Sequence, residues 1–228
     1  MRCGLFGKLP AKRDFIAVAA PRALLDTWEP WMQSSISASR DSLGKDWQQA
    51  FLTVPIWRFW LGADVCGSTV MGAFMSSLDG VGRYYPLTIF GCADPEDPIS
   101  PPDIDAQDEW FTASEEFLLS TLQKETAFEA ITAALEQLAP PACRPAALPD
   151  GMTRPKEGAV VAPAVTSSFV EVCGALRNAN HASAYAAASF WWTSGGNNYH
   201  PLALSCRGMP DPFLFTGMLT GRFANLPG

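Results

Sequence analysis

The chain has 228 residues, 48% hydrophobic and 17% charged, a composition that builds a large buried core and excludes a disordered chain. A net charge of −7 with no Lys/Arg run excludes the phosphate backbone and anionic lipid as partners, so neither nucleic-acid binding nor membrane insertion is expected. No stretch reaches the ~18 uninterrupted apolar residues of a bilayer span, and Lys8, Lys12, Arg13 and Asp14 interrupt what would be the apolar run of a signal peptide ending near Ala17–Ala20, so the expected location is cytoplasmic.

In chain order, "CGLFGKL" (3–9) reads as a strand and "PAKRDF" (10–15) as the loop leaving it. Leu24, Trp28, Trp31, Met32 and Ile36 carry helical spacing, with Pro30 inside the run. Placing Thr27 as the N-cap would put Pro30 in the first turn, where its missing N–H blocks no bond. A short helix is expected around 41–50. "FLTVPIWRFWL" (51–61), "TVMGAFMSSL" (69–78) and "YYPLTIFGCA" (84–93) read as three strands, and their short Gly-rich connections favour antiparallel neighbours. Residues 94–106, with four prolines and five acids, read as a solvated loop. Residues 107–138 read as helical, with Thr126 and Glu129 in capping-box spacing that would start a second helix. After an irregular connector (140–158) come a helix over 166–179, a hairpin of "SFWWT" (189–193) and "LALSC" (202–206), and a closing helix over 211–219. The order of elements implies one α/β domain, with a mixed, partly antiparallel sheet.

The chemistry-bearing residues are few. Gly80-Val81-Gly82-Arg83 opens like a phosphate loop, but the third glycine of a dinucleotide fingerprint is Tyr85 and a strand follows where a helix N-terminus is needed. Gly44-Lys45 is followed by Asp46 and not by the Ser or Thr of a P-loop. The glycines therefore read as a tight turn, with Arg83 pairing with Asp79 or stacking on a ring. His181 and His200 lack metal-ligand spacing; His181 reads as a cation at a helix end and His200 as solvated. The acids between Asp94 and Glu109 lie on a loop that does not hold two carboxylates at fixed separation. Six dispersed cysteines read as buried free thiols. No catalytic residue, cofactor or metal is expected. In 56–60, alternation puts Trp57 and Phe59 on one face and Arg58 on the other; Trp191 and Trp192 point to opposite faces. Exposed Trp and Arg are common protein–protein anchors, while burial of both tryptophans under helices is the structural alternative.

"GLFGKLPAKRDF" (4–15), "PIWRFWL" (55–61), "DGVGRYYPLTI" (79–89) and "SFWWTSG" (189–195), in this order, resemble the TagF (ImpM) family that accompanies bacterial type VI secretion systems. The resemblance covers nearly the whole chain as a single domain, 1–228. It implies a three-layer α/β/α sandwich and a cytoplasmic, non-enzymatic regulator: a post-translational repressor that binds a forkhead-associated-domain protein, Fha. The phosphatase segment fused to some members has no counterpart here, so the stand-alone form is implied. Lys8, Asp14, Trp57, Arg58, Asp79, Arg83 and Trp192 match the family motifs and are the candidate partner-binding residues. Arg13 stands where the family motif has a glycine; at positive φ it would be strained by ~1 kcal/mol or more. Two readings compete with the regulator: a small-molecule or nucleotide enzyme using the 79–85 turn, and an assembly subunit of the secretion apparatus.

Overall fold

The computed structural model describes residues 1–94, 96–123, 126–143, 148, 150–156, 159–163 and 168–224. The elements are β1 (Cys3–Gly7), β2 (Ile16–Val18), α1 (Arg22–Leu43), α2 (Trp47–Thr53), β3 (Trp57–Leu61), α3 (Ala63–Cys66), β4 (Val70–Met75), β5 (Leu87–Cys92), α4 (Asp108–Ser120), α5 (Phe128–Gln137), β6 (Thr153–Lys156), β7 (Ala159–Val161), α6 (Phe169–Ala179), α7 (His181–Ala184), β8 (Ala188–Thr193), β9 (Leu202–Arg207) and α8 (Leu214–Thr220).

Seven strands form one sheet in the order β2-β1-β5-β4-β3-β8-β9, and β6 with β7 forms a separate hairpin. Every pairing in the large sheet is antiparallel, so the parallel part of the expected mixed sheet is not found among the described residues. Helices cover both faces, which is why β4 is buried throughout and reads as an unbroken apolar run. On one face Trp57, Phe59, Phe74 and Trp191 pack with Trp28 and Trp31 of α1, Phe51 of α2 and Phe215 of α8. On the other, Leu5, Trp60, Met71 and Ile89 pack with Phe111 and Leu118 of α4 and with Ile131 and Leu135 of α5. The two-residue period of β3 thus divides it between the two cores.

Helix α1 runs 22 residues, with Pro21 at its N-cap and Pro30 in its interior; Thr27 is not the cap. The Thr27 hydroxyl instead donates to the Val65 carbonyl at 3.3 Å. An interior proline costs ~3 kcal/mol, but Pro30 and Asp26, whose carbonyl loses its helical donor, face solvent. Burying Trp28, Trp31 and Met32 on the opposite face, at ~2 kcal/mol or more each, outweighs that cost. Gly44 ends the helix at φ 53°, which places the Gly44-Lys45 pair in a helix cap.

Other differences have local causes. Phe51–Thr53 end α2 instead of opening a strand, because Pro55 separates them from β3. Residues 107–138 form two helices, but the second is capped by Ala127, without a side-chain bond, and not by Thr126. Loop 94–106 is not wholly solvated: Ile99 is fully buried, its N–H donates to Thr69 Oγ1 at 2.8 Å and its carbonyl accepts from Trp60 Nε1 at 3.1 Å. The connector over 140–158 contains β6, whose four residues are all exposed and gave no alternation to read. The six cysteines are unpaired, and burial pushes the Cys3 and Cys66 thiols up to about 11; Cys173, however, is exposed.

Candidate functional site

The first motif ends β1 and the third links β4 to β5, and antiparallel pairing of β1 with β5 brings them together. Lys8 Nζ donates to Asp79 Oδ2 at 3.0 Å, and Arg83 Nε donates to the same oxygen at 2.6 Å. Asp79 Oδ1 accepts the backbone N–H groups of Val81 at 3.0 Å and Arg83 at 2.9 Å. Burial by itself would raise the Asp79 carboxyl; the hydrogen bonds from the Arg83 backbone, Lys8, the Arg83 side chain and the Val81 backbone together outweigh it and hold the group well below the usual carboxylate range. The amides that would have cradled a phosphate are thus taken by the protein's own carboxylate.

The glycines serve this turn. Gly82 sits at φ 88°, and a Cβ on Gly80 would lie 3.1 Å from the Pro10 carbonyl oxygen. Gly80 N–H donates to the Lys12 carbonyl at 2.7 Å and Ser77 Oγ donates to the Lys8 carbonyl at 2.7 Å, so loops 8–13 and 77–83 are joined along their length. Arg83 Nη2 also donates to the Arg13 carbonyl and lies 3.9 Å from Asp14. Arg13 is not among the residues with positive φ, so the strain expected from its replacing a glycine is absent. Lys8 Nζ stands 5.0 Å from the centre of the Phe15 ring, which meets Tyr85 edge-on at 4.7 Å.

A second cluster forms around Arg58, on the face of β3 opposite Trp57. Arg58 Nε donates to Glu115 at 2.6 Å, Nη1 lies 3.5 Å from Asp108, and the guanidinium sits 4.9 Å over the Phe111 ring. Phe111 in turn meets Trp192 edge-on at 5.0 Å, and Trp192 is the register partner of Arg58 across β3 and β8. Trp57 belongs to neither cluster; it is fully buried and its Nε1 donates to the Met218 carbonyl at 3.1 Å. The adjacent tryptophans do separate, Trp191 into the core and Trp192 to a half-buried position.

Sequence reading did not assign Glu115 or Phe111, although Asp108, Phe111 and Glu115 recur at 3 and then 4 positions, one face of α4. His181 is not a helix-end cation: it is 3% exposed, with Nε2 3.5 Å from Ser100 Oγ, and burial first, then nearby Arg154, lowers its pKa against the opposing pull of Asp103. His200 is exposed, as expected. Among the described residues no three His, Cys, Asp or Glu side chains are grouped to hold a metal ion, and no helix is long and apolar enough to cross a membrane.

A search of curated proteins gives no match. The crystal structure of PA0076 from Pseudomonas aeruginosa PAO1 is 31% identical, aligns over 99% of this chain and 97% of its own, and superposes with a TM-score of 0.79. Residues 4–138, which hold β1 to α5 and both motif loops, match the model of the TagF N-terminal domain, described as type VI secretion system-associated. The chain belongs to that family of type VI secretion system-associated proteins.

Proposed function

We propose that the protein is a non-enzymatic cytoplasmic regulator of a type VI secretion system, a post-translational repressor that acts by binding a forkhead-associated-domain protein. The observation that carries this reading is the turn at 79–83. Its two inward amides and two cations converge on Asp79, and the Gly80 and Gly82 amides donate to backbone carbonyls, so the amides of this turn are engaged within the protein and not presented to a nucleotide. Exposed Phe15 and Val81 beside that clamp are residues a partner covers, not residues that perform chemistry.

The test is direct binding of the purified forkhead-associated protein encoded with the same secretion system, together with secretion measured in a strain lacking this gene. Saturable binding and raised secretion on deletion are expected. No binding at tens of micromolar together with unchanged secretion would overturn the reading, and recovery of the chain in stoichiometric amounts with the assembled apparatus would make it a structural subunit instead.

A further inference from the structure

Among the described residues, the helical layer formed by α4 and α5 packs mainly against β1, β4 and β5 and meets β8 through the Phe111–Trp192 contact. On this more open face of β8 and β9, Trp192 pairs in register with Ala203, and Phe190 with Ser205. Phe190 and Trp192 are half-buried, whereas Ala203 and Ser205 are exposed. The result is a two-strand shelf at the border of the sheet, ending in edge strand β9. Along one side the loop before α4 rises as a wall, and between wall and shelf lies a groove of about 330 Å³ lined by Pro102, Asp103, Asp108, Phe190, Trp192 and Ala203, among others.

The groove is both apolar and fixed in shape. Trp192 is held edge-on by Phe111, itself under the Arg58 guanidinium. Phe190 is held by Tyr185 at 5.6 Å, and the Tyr185 hydroxyl donates to Asp103 at 2.7 Å, tying the wall to the floor. A rim so anchored loses little freedom on binding. The wall is acidic. Asp108 keeps 80% of its side chain exposed, and its neighbour Arg58 is already bound at shorter range to Glu115. The volume, at the bottom of the ~300–1,000 Å³ range of small-molecule sites, matches one or two side chains.

We propose that this groove is the docking site for an extended segment of a protein partner, which inserts an apolar side chain against Trp192 and places a Lys or Arg against Asp103 and Asp108. Charge sets the choice of occupant: the wall is anionic on a chain of net charge −7, which favours a cationic segment and disfavours an acidic one. Among the described residues no strand pairs with the outer edge of β9, which can add such a segment as a further strand. The inference rests on the partner-binding reading above and assigns it a surface.

Two measurements test it. The first is binding of the forkhead-associated protein to wild type, to Ala203→Arg, which fills the groove from an exposed position, and to Leu52→Arg as a control at an exposed position of α2, on the opposite side of the sheet. Binding weakened about tenfold by Ala203→Arg and unchanged by Leu52→Arg is expected. Equal binding by Ala203→Arg overturns the groove and leaves the proposed function standing. No binding by wild type counts against the proposed function instead, and the second measurement then decides the groove alone. In it, a synthetic peptide alternating Leu and Phe with Lys and Arg is titrated against the Trp192 indole N–H resonance, assigned with Trp192→Phe. A counterpart with Glu in place of the cations is run in parallel. The cationic peptide shifts that resonance in wild type and not in Ala203→Arg, and the acidic one has no effect. An unmoved resonance, an equal response to both peptides, or self-association of the chain abolished by Ala203→Arg overturns the proposal.

Discussion

Lys8 Nζ lies 3.0 Å from Asp79 Oδ2, with 8% of one side chain and none of the other exposed. Two residues 71 positions apart are held as a buried ion pair at the junction of two loops. Asp79 is the hub, because it also takes the Arg83 side chain and two amides, whereas among the described residues Lys8 has one ionic partner. Removing the hub's charge leaves Lys8 buried without a counter-charge and also frees Arg83, whose side chain is 58% exposed; removing Lys8 leaves Asp79 still satisfied. Asp79→Asn is therefore expected to cost about 3 kcal/mol and Lys8→Met about 1–2 kcal/mol. Urea denaturation checks the order, and a Lys8→Met variant that is the less stable of the two would contradict the assignment of the hub.

The same carboxylate sets a pH dependence. Its pKa is depressed in the folded state, so the unfolded chain binds the proton more readily between the folded value and the ordinary ~3.9. The contribution of Asp79 is thus fully present above about pH 4 and declines as pH falls below it. Unfolding free energies of wild type and Asp79→Asn are expected to differ by a constant amount near neutrality and to converge in acid. A difference that widens as pH falls would show the sign to be wrong.

Around Arg58 the two carboxylates are unequal. Glu115 is 26% exposed at 2.6 Å, and Asp108 is 80% exposed at 3.5 Å. Glu115→Gln is expected to lower stability by about 1 kcal/mol, and Asp108→Asn by less than about 0.5 kcal/mol because an exposed pair is screened by water and salt. Thermal unfolding of the two single variants at matched ionic strength measures the difference.

Pro30 offers a stabilising change. Pro30→Ala restores an N–H donor to the Asp26 carbonyl in the middle of α1, and the exposed position imposes no packing limit. A gain of about 1–2 kcal/mol is expected, less than the ~3 kcal/mol cost of an interior proline because the unfolded chain also gains freedom. No gain on denaturation would mean that the helix had already relaxed around the ring.

The sequence made the sheet legible where side chains alternate or where a turn residue punctuates. Residues 56–60 announced their two faces, and the hairpin around 194–201 was marked by its glycines and asparagines. Strand direction was less legible, because a strand covered on both faces carries no amphipathic pattern, and only the short connections spoke for antiparallel neighbours. The start of α1 was misplaced because Pro30 looks like a boundary when the burial that offsets it cannot be seen. At the candidate site the Asp79–Arg83 pairing was readable from a turn of a few residues. The Lys8 partnership was not, since it depends on β1 lying beside β5, a neighbour 80 or more positions away. The shelf beside Trp192 was hidden for a similar reason: it exists because a helical layer stops short, and no residue in the strands records where a helix ends.

Titration calorimetry of the intact chain against the purified forkhead-associated protein of its own secretion system tests the central claim most directly. Saturable binding tighter than tens of micromolar is predicted. A flat titration, together with turnover or heat on adding a small-molecule substrate or nucleotide, would contradict it.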